Sequence, residues 1–297
     1  MPELVIDDGG LRSAPPEVCA ELPLAPIPSA KDLVDKGPPL ANVAVKSPLG
    51  ARLQALAPSG EAALKKRLGD IAAMVRSGTK VRCVFDLDNT LFDTRHRTMF
   101  CCAEFDRLNG THHFDGMLLG ATKVDGRETA IALGLPNDVV EAFGDFWDRE
   151  FWNPQNLVHD EPIQAMVDVV NECKKRGAEI CFLTGRCDSF VHPQAPERGQ
   201  ESFRGPTHDQ LTRAGIDVDD AHLALKPRLG VWTPEYKQGQ LQAWWHDAEI
   251  GVFLTEGRRD LAYLERQLAN LPCFRLDCSF EDSGPACAGI PTLQRPF

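Results

Sequence analysis

The sequence predicts an α/β domain: a parallel sheet of about five strands, helices on both of its faces, and a small helical insert. Three observations carry that reading. Five short apolar runs, at 81–85, 179–183, 222–225, 250–254 and 273–276, have the length and composition of buried strands. Amphipathic helical patterns alternate with them, as strand–helix–strand units require. One connection, residues 96–158, is too long for a single crossover helix and carries its own turn signals.

Taken in order, residues 1–60 hold ten of the 22 prolines and no aromatic; the first aromatic is Phe85. Such a segment buries too little surface to offset its ordering entropy, so a flexible or extended arm is expected there, without chemistry of its own. From 61 to 297 the pattern is that of one folded domain. A helix is expected over 61–77, with Leu64, Leu68, Ile71 and Val75 on one face, followed by the strand 81–85. Within 96–158, Asn109-Gly110 and Pro136-Asn137 mark turns between helical segments. Phe143, Phe146, Trp147, Phe151 and Trp152 recur there at near-helical spacing, as the core of a small helical unit would. The same unit is placed to act as a cap over a substrate.

The helix expected over 162–176 turns Ile163, Val167, Val170 and Cys173 inward and has Gly177 as its stop. Strands 179–183 and 222–225 follow, then a helix opened by Lys237 that leads into strand 250–254. A last helix over 259–270, with Leu261, Leu264 and Leu268 inward, precedes strand 273–276.

Composition narrows the function classes. The 297 residues carry a net charge of −11, which disfavours nucleic acid and anionic membrane as general partners. No apolar run approaches the roughly 18–20 residues that span a bilayer, and the first residues lack the basic region of a secretory signal. The ten cysteines are scattered, several inside apolar runs, and show neither a disulfide framework nor zinc spacing. A cytoplasmic location is the simplest expectation.

The chemistry is concentrated at strand ends. Strand 81–85 runs into Asp86-Leu87-Asp88-Asn89-Thr90: two carboxylates one residue apart, then a hydroxyl. In open parallel sheets ligands sit outside the carboxyl ends of the strands. Crowded carboxylates there call for a cation, and a hard oxygen-rich site suits Mg²⁺. Strand 179–183 ends in Thr184-Gly185-Arg186, whose hydroxyl, flexible backbone and guanidinium suit an oxyanion or phosphate. Strand 250–254 ends in Thr255-Glu256-Gly257-Arg258-Arg259-Asp260, with two carboxylates four apart.

This set of motifs resembles the haloacid-dehalogenase-like hydrolase superfamily, over about residues 81–276. Most of its members are Mg²⁺-dependent phosphatases on a Rossmann-like sheet, and residues 96–158 match its helical cap in position and size. The resemblance implies a phosphatase in which Asp86 is the nucleophile, forming an aspartyl-phosphate. It makes Asp88 the general acid and then the base for water, a residue that dehalogenases of the superfamily lack. It gives Thr184, Gly185, Arg186 and a lysine to the phosphoryl group. It assigns the metal to Asp86, to Asp88 through its backbone carbonyl, and to Glu256 or Asp260.

Trp232-Thr233-Pro234-Glu235-Tyr236-Lys237 is locally similar to the phosphatase half of polynucleotide kinase/phosphatase enzymes. That neighbourhood selects Lys237, with Lys226 in reserve. Thr255-Glu256 stands where paired aspartates are usual, so the metal position is the main departure from the family pattern. His112-His113 are expected as surface imidazoles, and Arg95 and Arg97 as solvated side chains near an entering anion. The expected function is therefore hydrolysis of a small phosphorylated substrate. The rivals are a nucleic-acid 3′-phosphatase, suggested by the Lys237 segment, and a catalytically weak binding or regulatory protein.

Overall fold

The protein is described from a computed structural model, which covers residues 60–268, 270–277 and 290–294. The Pro-rich arm expected over 1–60 lies outside the described residues but for Gly60, which opens helix α1 (Gly60–Arg76). Leu64, Leu68 and Ile71 of α1 are buried, as its apolar spacing requires.

The sheet is Rossmann-like and parallel. It contains β1 (Val81–Phe85), β2 (Glu179–Cys187), β3 (Leu223–Lys226), β4 (Glu249–Thr255), β5 (Cys273–Asp277) and β6 (Thr292–Gln294). Their spatial order is β6-β5-β4-β1-β2-β3. The strand count is corrected from about five to six. Among the described residues β6 is a three-residue edge strand pairing with β5 alone, too short to give a periodic signal. β2 also runs further than its apolar stretch, carrying Thr184-Gly185-Arg186 inside the strand with a register irregularity before Cys187.

Side chains alternate between two cores, one on each face of the sheet. Cys83 and Phe85 of β1, Phe182 of β2 and Val252 and Leu254 of β4 join the first. Against it pack α1, helix α5 (Gln164–Lys175) through Met166, Val167 and Val170, and helix α6 (Arg204–Arg213) through Leu211. Val84, Cys181, Leu183 and Phe253 face the other way. Helix α7 (Thr233–Asp247) covers them with Leu241 and Trp244, and helix α8 (Arg258–Gln267) with Leu261 and Leu264. Gly251 lets α1 lie close: a Cβ there would meet Val81 Cγ1 at 2.7 Å and Ile71 Cγ1 at 3.0 Å.

The chain runs outward from β1 to β2 and β3, then crosses back to β4 on the other side of β1. The helix that follows the β1 insert and the helix after β4 therefore cover opposite faces. That divergence opens a crevice at the carboxyl ends of β1 and β4, the switch point where open α/β sheets bind ligands.

Between β1 and α5 the structure has three further helices: α2 (Arg95–Asn109), α3 (Gly126–Ala132) and α4 (Asn137–Phe151). They share a core of Cys101, Cys102, Phe105, Phe114, Val140, Phe143, Phe146, Trp147 and Phe151. Four of the five expected aromatics serve that core, with Phe105 edge-on to Phe143 at 5.4 Å and Trp147 stacked on Phe151 at 4.2 Å, while Trp152 is left 37% exposed. The vicinal cysteines are apolar filler, and burial pushes the Cys101 thiol up to about 12. His112 is exposed and meets Asp115 at 2.9 Å, as a surface imidazole would. Among the described residues no helix is long and apolar enough to cross a membrane.

Candidate active site

Asp86 leaves the sheet edge directly after β1, its N–H still donating to the Leu254 carbonyl of β4 at 2.9 Å. The chain then reverses. Asn89 has φ +56°, a left-handed conformation that asparagine tolerates better than most residues. Its N–H donates to the Phe92 carbonyl at 2.7 Å, and its Oδ1 accepts the Thr94 hydroxyl at 2.7 Å. This turn sends Asp86 and Asp88 into two different surroundings.

Asp86 sits with its side chain 6% exposed. Its Oδ2 accepts from Lys237 Nζ at 2.5 Å and from the Thr255 hydroxyl at 2.7 Å, and its Oδ1 accepts the Leu87 N–H at 2.8 Å. The same lysine ammonium donates to Asp260 Oδ2. Burial raises the Asp86 carboxyl above the usual range, opposed by the Lys237 charge and assisted by Asp260. Burial works to lower Lys237, but Asp86, Asp260 and Glu256 outweigh it and hold the ammonium well above the usual lysine range. Lys226, at the end of β3, instead donates to the Val231 carbonyl at 3.4 Å, and burial depresses it. Of the two candidate lysines, Lys237 is the one that reaches Asp86.

Glu256 is tied to the first loop rather than to the lysine. Thr90 Oγ1 donates to Glu256 Oε2 at 2.7 Å and accepts the Glu256 N–H at 2.9 Å. Thr255 Oγ1 lies 3.4 Å from the same Glu256 oxygen and 2.7 Å from Asp86, so the two carboxylates flank one hydroxyl. Asp86, Lys237, Glu256 and Asp260, chosen from sequence, are thus brought into one cluster at the crevice between β1 and β4.

Asp88 stands apart, in a buried ionic network. Arg186 grips it twice, Nη2 to Oδ1 at 2.8 Å and Nε to Oδ2 at 3.0 Å, and Arg97 Nη2 donates to Oδ1 at 2.8 Å. Arg97 in turn forks onto Asp160, with both bonds at 2.8 Å, and donates to the Phe151 carbonyl at 3.0 Å. Arg186 Nη1 is taken by Thr207 at 2.9 Å and Gln210 at 2.8 Å, and Gln210 donates back to Asp160 at 2.9 Å. The side chains of Arg97, Arg186 and Asp160 have no exposure, against 24% for Asp88. Burial works against the Asp88 charge, yet the two guanidiniums hold its carboxyl well below the usual range.

Two points differ from the sequence reading. Neither arginine is a solvated side chain: Arg95 is 12% exposed and pairs with Asp93 at 2.7 Å, and Arg97 is wholly buried because α2 threads it between Asp88 and Asp160. Asp160, Thr207 and Gln210 carry no motif and lie 21 to 63 residues from their partners, so spacing alone gave no sign of them. Thr184 is fully buried, its hydroxyl accepting the Arg186 N–H at 3.2 Å. Beside it, Gly185 faces Thr233, where a Cβ would come within 3.2 Å of Thr233 Cγ2.

Among the described residues no group of three or more His, Cys, Asp or Glu side chains is placed to hold a metal ion. The donors present are nonetheless hard oxygens, and Mg²⁺ needs only one or two protein carboxylates because it keeps waters and takes substrate phosphate oxygens. Asp86 and Glu256, flanking Thr255, meet that requirement. Asp260 is engaged by Lys237, and the Asp88 carboxylate by its arginines.

No family model matches the sequence, and no curated protein does. Solved structures are similar at low identity. One is the protein tyrosine kinase A (PtkA) of Mycobacterium tuberculosis, 12% identical, covering 72% of this chain and 93% of that one at a TM-score of 0.46. Another is a hydrolase of the haloacid dehalogenase-like family from Streptococcus pneumoniae, 12% identical over 67% of this chain and 85% of that one, TM-score 0.42. A third is a chain of the Pnkp1/Rnl/Hen1 RNA repair complex, 18% identical over 67% of this chain but 43% of that one, TM-score 0.38. Haloacid-dehalogenase-like hydrolases are thus among the solved structures that the chain resembles at low identity.

Proposed function

We propose that the protein is a Mg²⁺-dependent phosphomonoester hydrolase that works through an aspartyl-phosphate on Asp86 and takes a small phosphorylated substrate. One observation carries this: a buried carboxylate at the end of the central strand, held by a buried lysine and a threonine hydroxyl at the sheet's switch point. A purely structural ion pair has no need of that position, and a nucleophile does.

An Asp86 oxygen bonds to phosphorus as the ester oxygen departs. Water then attacks the acyl phosphate, releasing inorganic phosphate and restoring the carboxylate. Lys237 neutralises charge on the transferring group and keeps Asp86 aimed along one direction. Asp88, kept as the carboxylate by its two arginines, takes the proton of the attacking water. The departing ester oxygen takes its proton from solvent water, since Asp88 as the carboxylate has none to give. Mg²⁺, held by Asp86, Glu256 and the Asp88 carbonyl, would neutralise the phosphoryl oxygens. Helices α2 to α4 pack beside the Asp88 network through Arg97 and Phe151, the position of a cap that confines the substrate.

The test is hydrolysis of p-nitrophenyl phosphate with Mg²⁺, after chelation, and after Mg²⁺ is restored. Turnover is expected to vanish on chelation and return with the metal. No metal-dependent turnover on this ester or on a broad phosphoester panel would sink the proposal. A 3′-phosphorylated oligonucleotide cleaved far faster than every small ester would move the substrate class to nucleic-acid ends.

A further inference from the structure

We infer that Trp232 is a stacking platform at the mouth of this site, and that the substrate is a phosphoester bearing a planar ring, as a nucleoside monophosphate does. The inference rests on the hydrolase reading for the position of the phosphoryl group, and adds to it the chemistry of the group attached.

Trp232 is 51% exposed, although indole is costly to leave in water and a core lies close by. It precedes α7 directly, as the residue at its N-terminal cap. The helix then places Lys237 against Asp86. Five residues at 1.5 Å of rise put the Trp232 backbone about 7.5 Å from Lys237 along that axis, toward the carboxyl edge of the sheet. Its neighbour Thr233 faces Gly185 of the Thr184-Gly185-Arg186 segment. The indole is also held in place: its ring meets that of Tyr263 edge-on, with centroids 4.7 Å apart and planes at 75°. Tyr263 stands one turn along α8 from Asp260, the second partner of Lys237.

The same two helices that hold the charged cluster therefore fix an aromatic ring at its rim, with about half of that residue open to solvent. Leu229, 43% exposed, lies on the same loop and extends the apolar character of the rim. A charged floor with a rigid, half-exposed indole one step outward suits a ligand that is anionic at one end and flat and apolar at the other. A sugar phosphate has the first feature and lacks the second.

Calorimetric binding to the full chain in Mg²⁺ separates the two. The probes are adenosine 3′-monophosphate, adenosine 5′-monophosphate and glucose 6-phosphate, each with Asp86→Asn, which leaves them uncleaved, and with that protein carrying Trp232→Ala or Trp232→Phe. Base–aromatic stacking predicts that Trp232→Ala weakens the better adenosine ester by roughly 5- to 150-fold. The loss for glucose 6-phosphate should be at least about fivefold smaller, and Trp232→Phe should recover most of the adenosine affinity. Equal losses for adenosine and glucose esters, or none for either, would overturn the stacking assignment whatever the turnover assays give. Tight, Trp232-dependent adenosine binding without hydrolysis by the wild-type protein would uphold it and remove the hydrolase reading instead.

Discussion

Asp86→Asn is expected to lower turnover of every phosphoester by about 10³-fold or more, because an amide oxygen is too weak a nucleophile to displace the leaving group. The substitution is nearly isosteric. Lys237 keeps its contact with Asp260, and the single amide oxygen, turned to the Oδ2 place, still accepts from Thr255 at the expense of the Leu87 N–H bond. Circular dichroism and thermal unfolding should therefore report a folded protein close to wild type, so that lost turnover cannot be blamed on a lost fold. The companion pair Lys237→Ala and Lys226→Ala divides the two lysines. Only the first removes a group in contact with Asp86, and it should carry nearly all of the loss.

The second large effect falls on stability. Arg97→Ala leaves the Asp160 carboxylate, without exposure, facing only Gln210 and an Arg186 nitrogen 3.6 Å away. Removing one partner of a buried pair costs about 3–5 kcal/mol, since the remaining charge is neither solvated nor matched. For a domain of this size that corresponds to roughly a 6–20 °C fall in Tm. Arg97→Lys should recover part of the loss, because an ammonium restores charge without the planar fork that serves Asp88, Asp160 and the Phe151 carbonyl together. The double change Arg97→Met with Asp160→Leu should be more stable than Arg97→Ala alone, as both charges leave at once. A Tm for Arg97→Ala within about 2 °C of wild type would mean that the network is solvated and relaxed in solution.

These residues also mark what sequence could and could not reveal. Asp86 was legible because an apolar run ends in it, and a strand that stops on a carboxylate has little structural reason to do so. Lys237 was legible through the short segment around it. The continuous apolar runs of β1, β2 and β4 pointed to the sheet, while β6 escaped because three residues at an edge carry too little pattern. Arg97 was misjudged, since an arginine early in a helix usually faces water. Its burial depends on Asp160, 63 residues further on, and on Phe151, whose ring lies 4.1 Å below its guanidinium. Pairings of that kind are made by the tertiary fold, and nothing local announces them. The same holds for the pairing of Thr90 with Glu256, which joins the ends of β1 and β4 across 166 residues of chain.

Chemical trapping of the intermediate addresses the mechanism at its centre. The wild-type protein is incubated with Mg²⁺ and a rapidly cleaved phosphoester, quenched in acid, digested, and read by mass spectrometry after reduction of any acyl phosphate. The expected result is homoserine, the reduction product of an aspartyl phosphate, at position 86 of its peptide, absent from Asp86→Asn. Turnover accompanied by an adduct on another residue, or undiminished hydrolysis by Asp86→Asn, would contradict it.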